Sequence, residues 1–284
     1  MRWLRHATGL LAAAALLAGI SSANAQQVFK TPEEAATALA AAVKSGAPRD
    51  ILKVLGRDGV EIVFSGDEVA DREARERFVG ADDFPLPIPL IRQETNWKFD
   101  TAAGRLEVLY RRIGRNELDA IQTCLAYVDA QNEYAEKDRT GAGPGVYARR
   151  IVSSSGKKDG LYWPASDGDA SPLGELVAQA SEEGYKAGAG RTPYHGYYYR
   201  ILTRQGPNAP GGVLNYVVKG KMIGGFALLA YPADYGNSGV VTFLVNHSGT
   251  VYQKDLGDYT MSLAERMTWF DPDQTWKKVD ASRP

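Results

Sequence analysis

The chain has 284 residues, 44% hydrophobic and 24% charged, values that suit one large or two small soluble domains and exclude both a disordered chain and a multi-span membrane protein. Its 33 Lys+Arg and 34 Asp+Glu balance to −1, and loss of a leader carrying Arg2 and Arg5 takes the balance to −3, which is no footprint for nucleic acid. One cysteine, Cys124, forms no intramolecular disulfide, and with His195 and His247 it is a thin supply for a transition metal. No metal or other cofactor is expected.

The basic residues Arg2 and Arg5, the apolar run Leu10 to Ile20 and the small-x-small site Ala23-Asn24-Ala25 read as a signal peptide over 1–25. The run is too short for a membrane span, which needs about 20 apolar residues. The mature protein is therefore expected in the periplasm or secreted, without a span. Thr31-Pro32-Glu33-Glu34 is a capping box that predicts a helix from Pro32, with a second short helix through Ile51 to Leu55. Val60 to Phe64 reads as a short strand. The run of alternating charges from Asp67 to Phe78 reads as a solvated helix face and is assigned no function. Pro85, Pro87 and Pro89 confine Phe84 to Ile91 to an edge strand or extended loop, with Asn96 to Phe99 as its antiparallel partner. From Thr101 to about Glu136 the apolar positions fall on one stripe, which predicts one long helix; Asn116 and Asp119 would instead cap a fresh helix if the segment were two.

Composition changes beyond residue 139, where 21 of 30 Gly and 12 of 15 Tyr lie. A Gly-rich loop, 141–145, leads into a short helix and a long irregular stretch. Strands are predicted at Gly196 to Thr203, Leu214 to Val218, Met222 to Tyr231, Val240 to Asn246 and Thr250 to Lys254, with a closing helix from Ser262 to Phe270. Their close spacing requires antiparallel pairing. The expected fold is α+β: residues 26–100 as a small helical or α+β unit, then 101–284 as a long helix packed on a four- or five-stranded antiparallel sheet.

Candidate chemistry is sparse. Ser154-Ser155-Gly156-Lys157 matches S-x-x-K, but its glycine and small residues favour a loop over the helix start that serine activation needs. Asp138 to Arg149 has the length of a calcium loop, yet its third, fifth and twelfth positions, Thr140, Ala142 and Arg149, lack carboxylates. Gly236-Asn237-Ser238-Gly239 reads as a tight turn. His195, His247 and Asp255 are the least implausible hydrolase groups, and they would have to converge in one pocket. Tyr194, Tyr197, Tyr198 and Tyr199 place rings on both faces of one strand. With the Gly-rich loops they offer a binding surface for an envelope protein or a glycan.

Five segments carry a resemblance: Arg112-Ile113-Gly114-Arg115-Asn116-Glu117-Leu118, Tyr127 to Ala135, Asp159 to Trp163, Pro193 to Leu202, and Ala230 to Gly239. Together they resemble the bacterial exported family catalogued as domain of unknown function 2950, across nearly all of the mature chain. The resemblance implies a bacterial envelope or secreted protein and transfers no catalytic residues. The chain departs from the family pattern in an aspartate-poor loop after Asp138 and in few residues between Phe78 and Ala81-Asp82-Asp83. Gln131 and Tyr134, Gly196 and Tyr197, and the Ser238-Gly239 to Gly249 segment also resemble, more weakly, the globular part of type IV pilins, which implies a long helix on an antiparallel sheet and no function.

Overall fold

The computed structural model describes residues 26–81, 84–164, 169–186 and 192–279. The signal peptide expected over 1–25 lies outside them. The backbone clusters into two units that interleave along the chain: residues up to 63 with 82–105, and 64–81 with 106–284. The charged helix at 68–80 clusters with the later residues.

In the first unit, helix α1 (Pro32–Lys44) begins where the capping box places it, with the Thr31 hydroxyl accepting from the Glu34 amide at 3.1 Å. The Glu34 carboxylate reaches one residue further back than a standard box, to the Lys30 amide at 2.9 Å. Ala35, Leu39, Ala42 and Val43 form its buried stripe. Helix α2 (Pro48–Leu55) buries Ile51, Val54 and Leu55. The strand expected at Val60 to Phe64 is instead a one-turn helix, α3 (Val60–Val63), continuing a 3₁₀ turn over Arg57–Gly59. Turn geometry set at Gly56, whose φ is +75°, and an ion pair between Glu61 and Arg105 override the β propensity of the valines. A hairpin of β1 (Leu90–Gln93) and β2 (Asn96–Phe99) follows, with Phe29 bridging to Trp97 at its edge.

The second unit takes in helix α4 (Glu68–Gly80), capped by Asp67, and nearly all of helix α5 (Thr101–Glu136), which is one continuous helix of 36 residues. Asn116 sits inside it, and its side chain donates to the Ser238 carbonyl at 2.9 Å instead of capping a new helix. Among the described residues no helix follows the Gly-rich loop before α6 (Gly174–Glu183), which forms where an irregular stretch is expected; 137–164 and 169–173 are irregular. Then come β3 (Tyr197–Leu202), β4 (Arg204–Gln205), β5 (Leu214–Asn215), β6 (Val217–Val218), β7 (Lys221–Met222), β8 (Ala227–Pro232), β9 (Val241–Asn246), β10 (Val251–Asp255), helix α7 (Thr260–Arg266) and β11 (Lys277–Lys278). The main sheet is antiparallel in the order β11-β10-β9-β8-β3.

Two predicted strands are broken. Leu214 to Val218 divides at the fully buried Tyr216 into two short pairings outside the main sheet, and Met222 to Tyr231 divides at Gly224-Gly225, where Gly225 takes φ +131°. The core lies between α5 and the sheet. On the α5 side, Ala120, Cys124 and Tyr127 belong to one buried cluster with Tyr197, Leu228 and Phe243, which register and alternation place on one face of the sheet. Burial pushes the Cys124 thiol up to about 12, so it packs as a small hydrophobe.

Candidate functional site

Polar residues of the family-like segments are spent on one another and on the backbone beside them. Arg112, one turn before Asn116 on α5, donates to the Asn237 side chain at 2.6 Å; Glu117 accepts from the Val240 and Val241 amides, both at 3.0 Å. Asn237 also donates to Asp234 and to the Phe64 carbonyl. Further along α5, Gln131 exchanges two hydrogen bonds with the Ala148 backbone, and Tyr134 donates to the Lys158 carbonyl at 2.6 Å. These residues bolt the irregular loops to the long helix. The loop at Ser154 likewise closes on itself, with the Ser154 hydroxyl on Asp159 at 2.9 Å, so it offers no activated serine. Asp138 accepts from the amides of its own loop, at 3.1 Å from Thr140 and 2.9 Å from Ala142.

The three hydrolase candidates do not converge. His195 precedes Tyr197, which pairs with Pro232 at one end of β8, whereas His247 donates its amide to the Phe226 carbonyl at the other end. Phe226 and Pro232 are six residues apart, and at about 3.3 Å per residue of strand those ends are separated by roughly 20 Å. Asp255 stands on β10, three strands from β3, and accepts from the Tyr235 hydroxyl at 3.1 Å. The ring of His247 packs edge-on against Tyr216 and Phe226. Among the described residues no cluster of three or more His, Cys, Asp or Glu side chains suits a metal ion.

His195 nevertheless sits in an unusual place. It and Gly196 are the central residues of a two-residue turn closed by paired Tyr194 and Tyr197 backbone bonds, with φ of 49° and 75°. Both lie in the left-handed region, as a type I′ turn requires. Glycine at the second position also answers crowding, since a Cβ there would lie 2.5 Å from the Asn116 amide nitrogen. The imidazole is clasped on both sides, Nδ1 to Asp119 at 2.9 Å and Nε2 to Glu183 at 2.8 Å. Burial opposes its charge, but the two carboxylates outweigh burial and raise its pKa to about 9. At neutral pH it is an imidazolium with both nitrogens engaged, so it accepts no proton and serves as a cationic clasp between α5 and the end of α6.

Behind it lies Asp67, 1% exposed, which accepts from the Val69 and Ala70 amides, the Gly196 amide and the Tyr185 hydroxyl, the last at 2.8 Å. Burial, then the neighbouring Asp67, pushes the Tyr185 phenol well up. The charge run assigned to solvent thus contributes a buried carboxylate. Asp67, Asp119, Glu183 and Tyr185 carried no signal in the sequence beyond an acidic N-cap, since their partners are up to 129 residues away.

The four tyrosines separate. Tyr197 is fully buried, its hydroxyl donating to the Val241 carbonyl at 2.8 Å, and it belongs to the core instead of a binding surface. Tyr198 turns to the opposite face, against Tyr231. Tyr194 and Tyr199 line a pocket of about 290 Å³ whose other walls include Thr123, Leu176, Val177 and Leu228. Tyr185 lines it too, and the His195 ring stacks 4.2 Å from Tyr194. The Tyr199 hydroxyl is buried and closes no well-aligned hydrogen bond among the described residues. Burial, then Glu183, moves Tyr194 up to about 12, so the phenols facing this space are neutral. The arrangement is an apolar recess with aromatic walls, braced from outside by a fixed cation.

Among the described residues no helix is long and apolar enough to cross a membrane. No curated protein matches the chain, and no solved structure does, so the resemblance to pilins gains no structural support. One family model matches residues 26–80 and 78–279, two matches that meet at 78–80. The chain belongs to the family described as protein of unknown function (DUF2950).

Proposed function

We propose that this protein is an exported, non-enzymatic binding protein of the bacterial envelope, and that its ligand seat is the aromatic pocket between α5, α6 and β3. The observation that carries the reading is the pocket itself, walled by Leu176, Val177 and Leu228 with Tyr194 and Tyr199. At about 290 Å³ it lies at the small end of ligand cavities, a space for one fused ring or a short acyl chain. A preformed apolar recess with few polar groups gains affinity from apolar burial at about 25 cal/mol per Å². His195, locked between two carboxylates, supports the wall and supplies no acid-base chemistry. The leader at 1–25 supports export.

The test uses N-phenyl-1-naphthylamine, a neutral apolar fluorophore. Saturable one-to-one enhancement is expected with the wild type. Ala180→Trp fills the pocket from the half-buried flank of α6 and should abolish the enhancement without lowering the melting temperature. Equal saturable binding by both proteins would contradict the assignment.

A further inference from the structure

We propose that two adjoining basic clefts on the second unit bind a linear, carboxylate-bearing glycan. One cleft, of about 500 Å³, includes Arg149, Arg200 and Arg204 in its lining; the other, of about 570 Å³, includes Arg149, Arg150 and Lys221. Arg149 is common to both. Asp159, in the second cleft, is the single carboxylate of the two linings. This concentration contrasts with a chain whose net charge is −1. It has a sequence origin, because no Asp or Glu occurs between Glu183 and Asp234 while Arg200, Arg204 and Lys221 fall inside that interval.

Three of the cations are held in place. Arg200 donates to the carbonyls at the end of α7, at 2.9 Å to Glu265 and 2.5 Å to Ala264, and also to Met267. Arg204 donates to the Thr268 hydroxyl at 3.2 Å and stacks 4.5 Å from the Trp269 ring. Arg149 reaches the Gly220 carbonyl at 3.4 Å. Cations fixed before binding lose less side-chain freedom when a ligand arrives.

The geometry favours a glycan over other polyanions. Guanidinium forks match carboxylates in a bidentate plane. Thr203, Asn215 and Thr268 beside them supply the hydroxyl and amide groups that sugar hydroxyls need. A flat bilayer surface does not enter paired clefts.

Fluorescence anisotropy with a labelled oligogalacturonate tests this directly. Arg149→Glu is expected to weaken binding about tenfold or more, Arg149→Lys less, and Arg204→Glu by a similar factor. Arg149 and Arg204 are exposed, so circular dichroism should show unchanged folds, and Lys53→Glu on α2 should bind as the wild type does. Equal affinity for a neutral malto-oligosaccharide, or no loss with Arg149→Glu, would overturn the proposal. Tighter binding to single-stranded DNA or to phosphatidylglycerol vesicles would overturn the choice of a glycan. The clefts share no lining residue with the aromatic pocket, so neither result bears on the pocket.

Discussion

His195 joins two unusual demands at one position: a left-handed backbone at φ 49° and a side chain held by Asp119 and Glu183. Its folded-state pKa is raised to about 9 from an ordinary value near 6.5. The stabilisation from the clasp is therefore complete below about pH 6.5 and is lost as pH rises through about 9. Urea midpoints of the wild type are expected to fall between those values. His195→Asn tolerates the left-handed turn but carries no charge, and its midpoint should lose that decline; an unchanged decline would assign the titration elsewhere. Tyr197, though embedded in a run of tyrosines, is a core ring. Tyr197→Ala should cost about 3–5 kcal/mol in chemical denaturation, as deletion of a buried aromatic does.

At the scale of elements, the family-like segments are explained by fastening. Glu117 satisfies two backbone amides at the entrance to β9, so Glu117→Ala should leave both without that acceptor and cost about 1–3 kcal/mol. Glu117→Gln keeps an acceptor oxygen and should recover part of the loss, measured by the same denaturation. Elements with local causes were legible: α1 from its capping box, α5 from its apolar stripe, β9 and β10 from β-branched and aromatic residues and the turn between them. Elements with distant causes were not. Val60–Val63 is helical against its propensity where Glu61 pairs with Arg105, 44 residues on, and the break at Gly224-Gly225 is set by neighbours such as His247, 2.6 Å from where a Gly225 Cβ would be. Likewise Asp119, Glu183 and His195 come from α5, α6 and a hairpin turn, and no local pattern announces their meeting.

Over the whole molecule the chemistry divides between an apolar recess with aromatic walls and a pair of basic clefts, both within the second unit. Net charge and composition concealed this division, since a −1 total averages an acid-free interval against acidic segments such as α6, with Glu175, Glu182 and Glu183 and no basic residue. Tyrosine enrichment marked β3, and strand alternation and packing send its rings to three destinations: the core, the opposite face and the pocket. Whether the pocket accepts an apolar ring is measured by isotope-filtered nuclear Overhauser spectra with naphthalene. Contacts from naphthalene protons to the methyl groups of Leu176, Val177 and Leu228 are the expected result. Contacts confined to the exposed aliphatics Val213, Leu214, Val218 and Ile223, or none at saturation, would contradict it.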